Sequence, residues 1–99
     1  MEYSFYTVPE IAVALANRVK ELRLSKKWKR NTLAKRSGVS VASLIRFEQK
    51  GLVSLENFLK LVNALGSLDE VEKLLLPPIA GSIEELEQQA VKTPKRGSI

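Results

Sequence analysis

The stretch Leu33–Glu48, LAKRSGVSVASLIRFE, leaves a chain few ways to fold. It reads as two short helices meeting at a tight turn. Gly38 falls where a helix closes in the left-handed region, which glycine enters without a Cβ clash. Val39 follows as an apolar wedge for the angle between the helices, and Ser40 is a ready N-cap for the second. In that second helix Leu44 and Phe47 share one face at i, i+3, which marks the face as core. The opposite face carries Val41, Ala42, Ser43, Ile45 and Arg46. That mixture is too polar for core and too basic to be an inert surface.

The rest of the chain supplies the support. Thr7, followed three residues later by Glu10, spells a capping box, and Pro9 is tolerated in a first turn because its missing N–H would be unpaired anyway. The first helix is expected to run to about Leu24, with Ile11, Leu15, Val19 and Leu22 as its buried stripe. Tyr6 can then staple onto Ile11 across the cap. Arg18, Lys20 and Arg23 lie off that stripe. Trp28 buries a large area in a basic connector, so it is expected to cap the core rather than to serve as a stacking platform. The second helix spans about Arg30–Ser37 and the third about Val41–Gln49. Ser54 caps a fourth, whose apolar face is Leu55, Phe58, Leu59, Val62 and Leu65, closed by Gly66. Ser67 and Glu70 form another capping box for a short fifth helix with Val71, Leu74 and Leu75 apolar, and Pro77-Pro78 stops it.

No segment alternates with the period of a strand, so the fold class is all-α. The expected layout is a lead over 1–7, a five-helix domain over 8–76, an extension over 77–91 and a tail over 92–99. In the extension, Ser82 with Glu85 marks a helix start, and Ile83, Leu86 and Ala90 make a thin apolar stripe. The basic, Pro- and Gly-bearing tail from Lys92 to Ile99 is expected to be disordered in isolation.

Ninety-nine residues with 44% hydrophobic content suit one modest core. With no cysteine and no histidine, the chain has no disulfide, no zinc site of the usual ligands and no Ser-His or Cys-His nucleophile. No cofactor, metal or catalytic residue is expected. Nothing approaches a membrane-spanning run, and the N-terminus has no leader pattern, so a soluble cytoplasmic protein is the expectation. Charge is unevenly placed. Between Arg18 and Lys50, eleven basic residues face Glu21 and Glu48, a balance of +9, whereas Gly51 to Ala90 carries −5. Such a split suits a polyanion on one side and a different partner on the other.

The residues Leu33-Ala34, Gly38-Val39-Ser40, Leu44 and Phe47-Glu48, with the run from Ser54 to Gly66, resemble the helix-turn-helix of lambda-repressor-like DNA-binding regulators. The resemblance covers about Ala12–Leu76. It implies a five-helix domain whose third helix lies in the major groove of double-stranded DNA. Carried over residue by residue, Val41, Ala42, Ser43 and Arg46 meet base edges, with Ile45 beside them. Arg46 can donate two hydrogen bonds to guanine O6 and N7, whereas Val41 and Ala42 can only touch thymine methyls. Many relatives carry amide side chains there, so the bound sequence is not legible from the resemblance. Lys29, Arg30 and Asn31 at the start of the second helix, with Lys35 and Lys50, are implied as phosphate contacts. Many relatives have glutamine in place of Arg30. The resemblance also implies that Glu48 forms a structural ion pair with Arg23, not a catalytic centre.

Binding as a homodimer on paired half-sites is the family's usual mode. The layout further looks like the small regulators similar to HipB, which accompany HipA-like serine/threonine kinase toxins. That likeness implies an antitoxin repressing its own operon, cytoplasmic and nucleoid-associated. Two other readings stay open: a stand-alone or phage-type repressor, and a protein-interaction module that kept the fold but lost DNA binding. An enzyme is not expected.

Overall fold

Three helices of this chain begin where a hydroxyl caps their first free amides. The computed structural model describes residues 6–78, which form five helices: α1 Val8–Ser25, α2 Arg30–Ser37, α3 Val41–Lys50, α4 Leu55–Ala64 and α5 Leu68–Glu72. Thr7 and Glu10 exchange both bonds of the capping box at 3.2 and 2.9 Å. Ser40 accepts from the Ser43 amide at 3.1 Å, and Ser54 from the Asn57 amide at 3.0 Å. The turn after α2 needs a left-handed residue, and Gly38 supplies it at φ +82°.

The α5 cap departs from expectation. Ser67 makes no side-chain bond to the helix, and only its carbonyl is used, by the Glu70 amide at 3.1 Å. Its backbone, at φ −118° and ψ 20°, is not in the extended region that aims an N-cap side chain at the helix. The helix ends at Glu72, and Leu75, three residues on, lies in the left-handed region at φ +62°. Leu74 and Leu75, two of its expected apolar residues, are 62 and 98% exposed and lie in solvent, as does Leu76 at 60%.

The core is Ala16, Val19, Leu33, Val39, Leu44, Phe47, Leu61 and Leu65, with Trp28, Val53, Phe58 and Ala64 packed against it. Phe47 and Phe58 meet edge to face, centroids 5.9 Å apart, a geometry their quadrupoles favour. Helix α1 packs on α3, α2 on both α3 and α4, and α5 on α4.

Two buried faces differ from those expected. On α1 the buried residues are Ala16, Val19 and Arg23, while Ile11 and Leu22 are 41 and 39% exposed. Arg23 thus belongs to the inner face, turned there by its carboxylate partner. Tyr6 is 61% exposed, so a staple onto Ile11 buries little. On α4 Leu61 is fully buried and Leu55 is 71% exposed. Phe58, Leu61, Val62 and Leu65 form the inward stripe, whereas Leu55 stands at its open end beside a cleft lined by Ala12, Leu15 and Phe58. Among the described residues no helix is long and apolar enough to cross a membrane. The helix expected from Ser82 and the tail from Lys92 lie outside the described residues.

Candidate nucleic-acid interface

Helix α3 separates its residues cleanly. Leu44 and Phe47 are buried in the core, Ala42 and Arg46 are exposed, and Val41, Ser43 and Ile45 are half-buried. The face opposite the core is therefore a continuous surface on which Arg46 makes no ion pair among the described residues. The Ser40 hydroxyl donates to the Ser43 hydroxyl at 3.0 Å, which leaves the Ser43 proton free to donate outward. Arg46 and Ser43 border a cleft completed by Leu52, Val53, Ser54 and Asn57.

A second cleft, of about 480 Å³, lies between the starts of α2 and α3. Its walls are Arg23, Lys29, Arg30, Asn31, Val41 and Ile45. The fold thus brings Lys29, Arg30 and Asn31 next to two of the residues on the outer face of α3. Lys29 occupies the N-cap position of α2 without a side-chain cap bond, and its carbonyl takes the Thr32 and Leu33 amides, so the Arg30 and Asn31 amides are left to an outside acceptor. Lys35 and Lys50 are exposed but line neither cleft.

Behind the second cleft stands a buried carboxylate. Glu48 Oε2 accepts from Arg23 Nε at 2.8 Å, and Oε1 accepts from Arg23 Nη2 at 3.1 Å, a two-pronged pairing. The remaining Arg23 nitrogen, Nη1, donates to the Trp28 carbonyl at 2.9 Å. A third member joins them: Arg30 Nε donates to Glu48 Oε1 at 2.9 Å. The side chains of Arg23 and Glu48 are 7 and 1% exposed, that of Arg30 38%. Burial pushes the Glu48 carboxyl up, but the hydrogen bonds from Arg23 and Arg30, with their charges, outweigh it and hold it below its ordinary value. The cluster ties α1, α2 and α3 together and leaves no buried side-chain polar atom unpaired among the described residues.

Trp28 closes the connector between α1 and α2. Its ring is half-buried on the core, with the Arg36 guanidinium 4.6 Å and the Lys26 ammonium 5.5 Å from its centroid. Those cations compete with any base for the ring's exposed area. Chemically the surface offers donors and positive charge, arranged as two clefts flanking one helix. Such a surface has the chemistry to hold and orient an anionic polymer.

The sequence profile of the helix-turn-helix family matches residues 19–72, from the middle of α1 through α5. No curated protein and no solved structure gives a significant match. That profile spans more than half of the chain and contains both clefts and the turn at Gly38, so the chain belongs to the helix-turn-helix family, of lambda-repressor-like DNA-binding transcription regulators.

Proposed function

We propose that this chain is a sequence-specific repressor that binds double-stranded DNA as a homodimer, with α3 in the major groove. One observation carries the reading: Arg46 stands exposed, and without an ion pair among the described residues, on a helix whose other face fills the core. In this reading Arg46 takes a guanine edge, Val41, Ala42 and Ile45 make apolar contacts, and Ser43 donates a hydrogen bond. Lys29, Arg30 and Asn31 hold a phosphate at the start of α2, with Lys35 and Lys50 on flanking phosphates. The domain over 8–76 carries this work in the cytoplasm, and dimerisation sets half-sites about 34–36 Å apart.

The test is duplex binding followed across salt concentration. A steep fall of affinity with salt on random duplex, plus a tighter complex on DNA from the chain's own promoter, is the expected result. Arg46→Ala should cost about 1–3 kcal/mol on the best site and relax one base position. Equal losses on every sequence would exclude base reading by Arg46. A flat salt dependence would favour the protein-interaction module instead, a reading supported by the apolar Val41, Ala42 and Ile45 on the same face.

We further propose that this repressor is the autoregulating antitoxin of a HipA-like kinase toxin. Support comes from the layout that resembles HipB-like regulators, from the acidic balance after Gly51 and from the exposed leucines at 74–76. The acidic half, Gly51 to Ala90, and the tail from Lys92 to Ile99 then meet the toxin. Co-expression with a kinase encoded beside it should restore growth that the kinase alone arrests. Persistent arrest, with both chains soluble, would reduce the function to a stand-alone or phage-type repressor.

A further inference from the structure

Glu48 has more donors than it needs. The two-pronged bond from Arg23 already neutralises the carboxylate and engages both of its oxygens. A second guanidinium on Oε1 exceeds what charge balance requires, and Arg30 is held there at 2.9 Å. The bond uses only Arg30 Nε. Among the described residues its two Nη groups donate to nothing, and the side chain is 38% exposed. Those four remaining N–H donors belong to a residue that forms a wall of the cleft between the starts of α2 and α3.

We propose that Glu48 is a positioning residue for DNA contact. It grips Arg30 by Nε from within the core and presents the Nη edge over that cleft, where a backbone phosphate takes it. The proposal rests on the DNA-binding reading above and deepens it. Two arginines on one carboxylate leave a net positive charge, so the grip does not cancel the attraction for phosphate. A free arginine must give up several rotatable bonds to make a two-pronged contact, whereas one already anchored at Nε has little left to lose. Because Glu48 sits on α3 and Arg30 opens α2, a phosphate held by Arg30 is also registered against the reading helix. The opposite possibility, that Glu48 competes with DNA for Arg30, predicts changes of the other sign.

The experiment compares Arg30→Ala, Arg30→Lys and Glu48→Gln in the full chain, with affinity for a promoter duplex and for random duplex read across salt, and melting followed in parallel. Lysine keeps the charge but cannot hold carboxylate and phosphate in one planar fork. Arg30→Lys should therefore bind about tenfold more weakly than the parent, close to Arg30→Ala, while melting within a few degrees of it. Glu48→Gln, measured well below its own melting temperature, should weaken binding similarly, and adding Arg30→Ala to it should change little more. Parent-like binding by Arg30→Lys, or tighter binding by Glu48→Gln, would overturn the proposal. So would an undiminished effect of Arg30→Ala in the Glu48→Gln background. If Glu48→Gln does not fold, the Arg30 series alone decides. A parent chain that shows no salt-dependent duplex binding would remove the DNA-binding reading itself, whereas salt-dependent binding indifferent to Arg30 would remove only the role of Glu48.

Discussion

Replacing Gly51 by alanine should do more harm than the same change at Gly38, and the difference measures how closely α1 and α3 approach. Both glycines are left-handed, at φ +71° and +82°. An alanine forced into that region loses about 1–2 kcal/mol, of which roughly 0.4–1 kcal/mol returns because the unfolded chain has less freedom to surrender. Gly38→Ala meets no atom within 4 Å, so its net cost should stay near 1 kcal/mol. At Gly51 the new methyl would lie 3.1 Å from the Val13 nitrogen, 3.2 Å from the Ala12 carbonyl carbon and 3.3 Å from the Val13 Cα. Those are backbone atoms of α1 and cannot rotate aside, so overpacking of about 1–3 kcal/mol adds to the strain, for a total of roughly 2–4 kcal/mol. Urea unfolding of both variants at one temperature is the assay, with melting expected about 4–8 °C lower per kcal/mol lost. Because Gly51 follows α3 directly, a displaced C-terminus would also tilt Arg46, and promoter affinity should fall with stability. If Gly51→Ala proves no costlier than Gly38→Ala, the close approach of the two helices is wrong.

Further consequences are direct. Arg23→Ala leaves Glu48 buried with only the half-exposed Arg30, and should cost about 3 kcal/mol or more by denaturant unfolding. Arg30→Ala, which leaves the two-pronged bond intact, should cost under about 1 kcal/mol in the same assay. Leu61→Ala should cost about 2–5 kcal/mol, and Leu55→Ala no more than about 0.5 kcal/mol. Equal costs would restore Leu55 to the inner face of α4. Glu48 is held below its ordinary value of 4.5, so its pairing stabilises the fold fully above the unfolded-state value and is lost as pH falls through the lower folded one. Melting temperatures of the parent and Glu48→Gln should therefore differ most near neutrality and converge in acid; a constant gap would show that the charge is not what stabilises.

The elements legible in the sequence were those with a chemical marker. Thr7, Ser40 and Ser54 stand where their capping bonds form, Gly38 stands where the turn needs it, and helix order follows from apolar spacing. Ser67 carried the same marker and failed, because a cap also needs an extended backbone, which a serine cannot announce. On α4, Leu55 and Leu61 are chemically identical, and only the packing of neighbouring helices distinguishes the buried one. The bond from Arg30 to Glu48 spans 18 residues, and nothing local to Arg30 points to it. Its place at the head of α2 suggested phosphate, which left the inward half of its role unread.

The face that α1 buries shows how one charge can decide a helix's rotation. Ile11, Leu15, Val19 and Leu22 would bury more apolar area than the residues that line up with Ala12, Ala16, Val19 and Arg23. Fully burying another leucine favours the first choice by about 1.5–3 kcal/mol. Adjacent residues on a helix point about 100° apart, so turning Leu22 inward would swing Arg23 out and strip Glu48 of its two-pronged partner. A buried carboxylate left that way costs about 3–5 kcal/mol, which outweighs the leucine. Alanine at 12 adds a second reason, since a small residue there lets the α1 backbone at Ala12 and Val13 come within contact distance of Gly51. The charged pair and the close approach select the same rotation, and Ile11 and Leu22 remain partly in solvent as its consequence. Removing both charges together, as in Arg23→Met with Glu48→Leu, should then free α1 to turn. A fall in the exposure of Leu22, read by side-chain relaxation or by chemical labelling of a cysteine placed there, is the expected result. Unchanged exposure would leave the alanine contact alone as the determinant.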